Sequence, residues 1–268
     1  MLAASGVRVV RHSDRRRRAR LRRVLWGGGE AFVTVGVLLV LLVVHQLWWT
    51  NREARRGAER QVEALEREWG PGTGGGRAVS SPTAPASPRV SSSSSAPASG
   101  TVGSRAPQRS YGPVGPPRQS QAYAVLVIPR LGLRVPVAEG VSKADVLNKG
   151  YVGHYRGTGQ PGQAGNFALA GHRNTHGEPF RYLPRMRRGD DIEVATRTAT
   201  YTYDVDQILP RTSAMDSGVV RPVPRSVVRP GYGYDTPGHY ITLTTCTPEF
   251  TSRYRMVVWG RLVAVRPR

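Results

Sequence analysis

The chain has 268 residues, with 39 Lys and Arg against 18 Asp and Glu, a formal net charge of +21, and a single cysteine. One thiol excludes an internal disulfide framework and a cysteine-built metal site. Residues 1–23 hold nine Arg against Asp14 alone, so the basicity is partly that of a tail, which argues against a folded face that binds nucleic acid.

Residues 1–30 read as a basic cytoplasmic tail. The stretch 31–49, AFVTVGVLLVLLVVHQLWW, has no formal charge. At 1.5 Å per residue its nineteen residues reach about 28 Å, close to the thickness of a hydrocarbon core. Trp48 and Trp49 belong at the far interface. Arg precedes the span, while residues 50–69 balance five Arg with five Glu. The positive-inside rule therefore predicts a single-pass protein of the cell membrane, amino terminus in the cytoplasm and carboxyl portion outside. HQLWWTNRE offers bulky residues where a cleavage site needs small ones, which favours an uncleaved signal anchor over a signal peptide.

Residues 50–69 are charge-laced and predict a solvated juxtamembrane helix ending at Gly70-Pro71. Residues 70–122, rich in Gly, Pro, Ser and Ala, lack the apolar surface to offset ordering and predict a disordered linker. Such a segment has a root-mean-square reach on the order of 40 Å, a tether holding the next domain off the membrane.

Residues 123–268 change texture. YAVLVIP (123–129), LRVPV (133–137), NFALAG (166–171), DIEVAT (191–196), TYTYDVDQI (200–208), YITLTT (240–245) and MVVWGRLVAV (256–265) alternate with Gly, Pro and Asp clusters, the pattern of an all-β barrel or sandwich. One short helix is expected at SKADVLNKG, with Ser142 as N-cap and Gly150 closing it, and a second helical turn at EPFRYLPRM.

Cys246 ends the run YITLTTC, before Thr247-Pro248. A lone cysteine is a small buried hydrophobe or a nucleophile, and the end of a strand points this one toward a rim. A nucleophilic thiol needs a base or a neighbouring cation. His12 and His45 lie in the tail and the span. His172 follows NFALAG in AGHRNTHGEPF, and His176 is four residues further on. His154 and His239 sit in Gly-flanked turns and read as solvated imidazoles. Arg253 and Arg255 open the strand after the cysteine turn. If TLTTC and RMVVWG pair as a hairpin, either could stabilise an oxyanion beside Cys246, and spacing alone does not choose; the other role for both is an edge charge.

TLTTC, with Arg255 nine residues later in RYRMVVWG, resembles the cysteine-arginine signature of sortases. AGHRNTHGEPF resembles their histidine segment, and IPRLGLRVPVAEG and NKGYVGHY the opening strands and helix, most of all in the class E housekeeping sortases of high-GC Gram-positive bacteria. The resemblance covers about Ala124 to Arg266.

It implies an eight-stranded sortase-type β-barrel with one or two short helices, preceded by the transmembrane helix and the disordered linker. By position, Cys246 is the nucleophile, His172 the general acid/base, Arg255 the residue that orients substrate and stabilises the oxyanion, and Thr245 a substrate-binding residue. The implied substrates are secreted proteins with a carboxyl-terminal LAxTG- or LPxTG-like sorting signal, cleaved between Thr and Gly, with a peptidoglycan-precursor amine as acceptor. No cofactor, metal or nucleic acid is implied. Two other readings use the same residues: an anchored cysteine hydrolase in which water resolves the thioester, and a non-catalytic module drawn by its charge to anionic wall polymers.

Overall fold

The structure is a computed structural model that describes residues 12–70 and 116–268. Of the linker expected over 70–122, residues 71–115 lie outside the described residues, as do the first eleven of the basic tail. One continuous helix, α1 (His12–Trp69), joins the apolar run to the charged stretch after it. It is long and apolar enough to cross a membrane.

Eight strands follow: β1 (Ala122–Ile128), β2 (Leu133–Glu139), β3 (Val152–His154), β4 (Gly165–Ala170), β5 (Asp191–Ala195), β6 (Ala199–Ser213), β7 (His239–Thr247) and β8 (Tyr254–Pro267). They close into a barrel in the order β1-β2-β3-β4-β7-β8-β6-β5, which leaves no sheet edge to be guarded. β2–β3 and β4–β7 run parallel; the other pairs are antiparallel. The seven apolar runs become seven of these strands. β3, only three residues long, is too short to show a periodicity of its own.

Period-2 alternation divides each strand between two environments. Leu126, Ile128, Phe167, Leu169, Ile241, Leu243, Met256 and Val258 fill the barrel interior. Residues of the opposite phase on β7 and β8, Tyr240, Val257 and Trp259, form an outer cluster with Leu209, Val219 and Tyr234. That cluster lies beneath the long β6–β7 connection, which Trp259 holds by donating its indole N–H to the Val219 carbonyl at 3.1 Å.

The expected helix at 142–150 is only a pair of turns ending in a 3-10 turn, Leu147–Lys149. Its capping signals are used: Ser142 and Asp145 bond side chain to side chain at 2.8 Å, and Gly150 closes the turn at φ 79°. The chain must enter β3 two residues later, which leaves no length for regular helix. The turn expected within EPFRYLPRM is the 3-10 turn Leu183–Arg185.

Two readings of exposure are corrected. The charged half of α1 is not solvated all round, because Ala54, Ala58, Val62 and Leu65 recur at helical spacing as an apolar stripe and are buried. Val62 and Leu65 pack on the outward-facing Val125 of β1. His154 is no surface imidazole either; it lies in β3 and is 1% exposed. Its Nδ1 faces Glu139 Oε2 at 2.7 Å and the Tyr123 hydroxyl at 3.0 Å, and its Nε2 faces Thr158 Oγ1 at 2.9 Å and the Gly159 carbonyl at 3.1 Å. The β2–β3 register sets Glu139 beside His154, and that register is invisible in the sequence. Removing the imidazole strands a largely buried carboxylate. His154→Ala should lower stability by about 3–5 kcal/mol, read as a lower denaturant midpoint at unchanged slope.

Candidate active site

Strand register assembles the site. β4 and β7 pair in parallel through Ala170 and Thr244, and the match continues past the end of β4 as Gly171 N–H donates to the Thr244 carbonyl at 3.1 Å. Two residues beyond this pair stand His172 and Cys246. On the other side, β7 and β8 set Cys246 directly against Arg255. In a directly opposed pair the Cβ atoms lie about 4.5–5.5 Å apart on one face of the sheet. The alternation that points Leu169, Leu243 and Met256 inward points His172, Cys246 and Arg255 outward. Imidazole, thiol and guanidinium thus come from adjacent strand ends in the order His172, Cys246, Arg255. The thiol is free and half-buried, near the open end of β7.

Thr245 has the opposite phase. It is buried, and its hydroxyl donates to the Gly171 carbonyl at 2.9 Å, fixing the residue that precedes His172. Arg255 donates to the Ser252 and Tyr254 carbonyls at 2.8 and 3.0 Å, within the turn that follows the cysteine. Arg253 lies in that turn, out of register with the thiol, its guanidinium over the Tyr254 ring. His176 stands 5.5 Å from His172, ring centre to ring centre, and has no strand pairing with Cys246.

The match with a known family is direct. A family model described as the sortase domain covers residues 126–263, more than half of the chain. The chain belongs to the sortase family. It is 41% identical over 245 residues to the sortase SrtE1 of Streptomyces coelicolor, an alignment spanning 90% of this chain and 57% of that relative. It is 32% identical over 240 residues to SrtE2 of the same organism, spanning 88% and 80%. A crystal structure of sortase E1 from S. coelicolor, with a tripeptide in its active site, superposes with a TM-score of 0.52 at 51% identity, covering 56% of this chain and 94% of that one. These relatives place the chain among the class E sortases, and it spans about 57% of the length of the first of them.

Two further side chains beside the candidate site escaped the sequence reading. Asn148, on the turn before β3, meets His172 Nε2 with its Oδ1 at 2.9 Å. As an acceptor, that oxygen places the proton of the neutral ring on Nε2 and leaves Nδ1 basic. Nothing in the sequence ties Asn148 to a residue 24 positions away. Arg173 donates from one nitrogen to the Cys246 carbonyl at 3.3 Å and to Thr247 Oγ1 at 3.0 Å, joining the histidine loop to the end of β7. Its place beside His172 in the chain was the available signal.

Burial, the neighbouring His176 and then Lys143 push His172 down from the ordinary 6.5 to about 4. All three disfavour the imidazolium, so the ring is neutral at pH 7 and able to accept a proton. Activity that requires the neutral ring should hold as pH falls from 7 and be lost as pH drops through about 4. His176→Gln, by removing a like charge, should move that acid limb upward in a pH–rate profile. Asn148→Ala removes one hydrogen bond of roughly 1–1.5 kcal/mol and should lower kcat about tenfold in steady-state assays.

Proposed function

We propose that the protein is a membrane-anchored cysteine transpeptidase that cleaves an LAxTG- or LPxTG-like sorting signal between Thr and Gly and passes the acyl group to a peptidoglycan-precursor amine. The observation that supports this reading is strand register: Cys246 pairs with Arg255 across β7 and β8, and β4, which leads into His172, pairs with β7. Membrane attachment through α1, amino terminus inside, is supported by the apolar run and the nine Arg that precede it.

In the proposed cycle, Cys246 Sγ attacks the Thr carbonyl carbon while His172 Nδ1 takes the thiol proton. The oxyanion is held by the Arg255 guanidinium, turned from its turn carbonyls, and by backbone N–H groups. Collapse breaks the Thr–Gly bond, and the imidazolium returns its proton to the departing Gly nitrogen. The acceptor amine then adds to the thioester and gives a proton to His172. The second collapse releases the Cys246 thiolate, which regains that proton. A thioester suits this relay because an amine captures it readily where water is excluded. Thr245 aids binding indirectly, by holding Gly171 and the root of the histidine loop. Substrates are secreted proteins whose signal continues into an apolar segment and basic residues.

The deciding experiment gives the protein a fluorescent LAxTG peptide with and without an amine acceptor. Amine-dependent ligation product is expected, with an acyl-enzyme at Cys246 detectable by intact mass. Free acid alone, whatever the amine supplied, would show a hydrolase instead, and an inert protein would leave wall binding. Cys246→Ala and His172→Ala should abolish turnover while leaving thermal unfolding intact. Arg255→Lys should lower kcat/KM by about 10²-fold, because a point charge does not reproduce the guanidinium fork.

A further inference from the structure

Contact between α1 and the barrel begins where the apolar run ends. Every described side chain from Phe32 to Thr50 is exposed. Asn51 and Arg55 then grip the histidine loop with four hydrogen bonds. Asn51 bonds Glu178 Oε1 at 3.0 Å and accepts from Gly177 N–H at 3.1 Å. Arg55 donates to the Gly177 carbonyl at 3.0 Å and to Glu178 Oε2 at 2.9 Å. Glu178 is buried, while the Arg55 side chain that reaches it is half exposed. The fit is close to backbone contact: a Cβ at Gly150, which already has φ +79°, would stand 2.8 Å from the Ala54 carbonyl oxygen.

The helix stays docked along its length. Ala58, Val62 and Leu65 are buried, and Glu66 pairs with Arg134. At the far end Glu68 faces Arg197 at 3.9 Å and Arg268 lies over Trp69. A helix held at both ends is a rigid spacer rather than a tether. At 1.5 Å per residue, Asn51 and Arg55 stand about 3 and 9 Å beyond Trp49, and Glu68 about 28 Å beyond it. Asn148, the partner of His172, lines one crevice with Trp49, Thr50 and Lys149. The His172 loop is therefore level with the interfacial tryptophans. Arg52, stacked over Trp48 at 4.9 Å, and the exposed Lys149 add cations at that level, where anionic headgroups attract them.

We propose that residues 50–69 form a rigid strut seating the barrel directly on an anionic bilayer surface, with the Cys246–His172 face opening at headgroup depth. The inference rests on the membrane-anchor reading above. A barrel seated there meets the motif of the substrates proposed above where it leaves the bilayer. The height of the barrel is then set by the strut, whatever the length of residues 71–115.

Depth-dependent quenching tests it on the full chain. In a Cys246→Ala background, Lys149→Cys and Arg197→Cys each carry one fluorophore, in vesicles of phosphatidylethanolamine and phosphatidylglycerol containing a headgroup-nitroxide lipid. In protein that floats with the vesicles, quenching at position 149 should exceed that at 197 at least threefold; equal quenching, or more at 197, overturns the proposal. Protein that does not float sinks the anchor reading beneath it. A second arm inserts seven helix-forming residues between Trp49 and Thr50, raising the barrel about 10 Å on the same helix face. Turnover of a motif peptide fused to an apolar span in the same vesicles should fall at least tenfold relative to turnover of the soluble peptide. Deleting twenty residues from 71–115 should leave that ratio unchanged. A ratio indifferent to the insertion, or one that follows the deletion, overturns the strut.

Discussion

The parallel pairing of β4 with β7 is the constraint on which the candidate site depends. It joins segments more than seventy residues apart through six matched positions and carries the register past the end of β4 to Gly171. Thr245 adds a buried side-chain bond to the same carbonyl strip, and Arg173 a third link from the loop to Thr247. A one-residue slip would turn either His172 or Cys246 to the barrel interior, because side chains alternate strictly. The packed interior, with Phe167, Leu169, Ile241 and Leu243 on these two strands, resists that slip. The core and the active site are thus specified by one register, on opposite faces of the same two strands.

Electrostatics gives each site group its character. His172 is partly desolvated and faces His176 and Lys143, which keeps the ring uncharged at neutral pH. Arg173 and Arg255 flank the cysteine from the neighbouring strand ends: Arg173 donates to its carbonyl, while Arg255 stands opposite it with its guanidinium held on the Ser252 and Tyr254 carbonyls. Asn148 fixes which imidazole nitrogen is basic. Elsewhere the surplus of Arg is put to structural use: Arg134 and Arg197 pair with Glu of α1, while Arg181 joins Glu178 to Glu249. Even so basic a chain relies on its few carboxylates to bring helix and loops onto the barrel.

Much of the fold was legible because it is written in short-range patterns. Seven of the eight strands appear as apolar runs, and the Ser142–Gly150 turn shows both of its capping signals. β3 was missed because three residues show no period, and His154 was misjudged because its burial follows from a pairing with β2 that local sequence does not encode. The docked face of α1 was present as Ala54, Ala58, Val62 and Leu65 but hidden among ten charges. Small residues at helical spacing register weakly as an apolar stripe, yet they let a helix approach a sheet closely.

By itself, the sequence determined the membrane-length apolar run, the alternating strands and the presence of one thiol near an imidazole-bearing and a guanidinium-bearing segment. These are properties of composition and local periodicity, which need no knowledge of what lies across the fold. Only the tertiary structure decided that the strand position opposite Cys246 belongs to Arg255, the arginine the family signature had already picked over Arg253, that Asn148 holds His172, and that the charged half of α1 belongs to the barrel. Each depends on register or docking between segments distant in the chain, and that geometry is fixed by the packing of the whole interior, not by the order of neighbours.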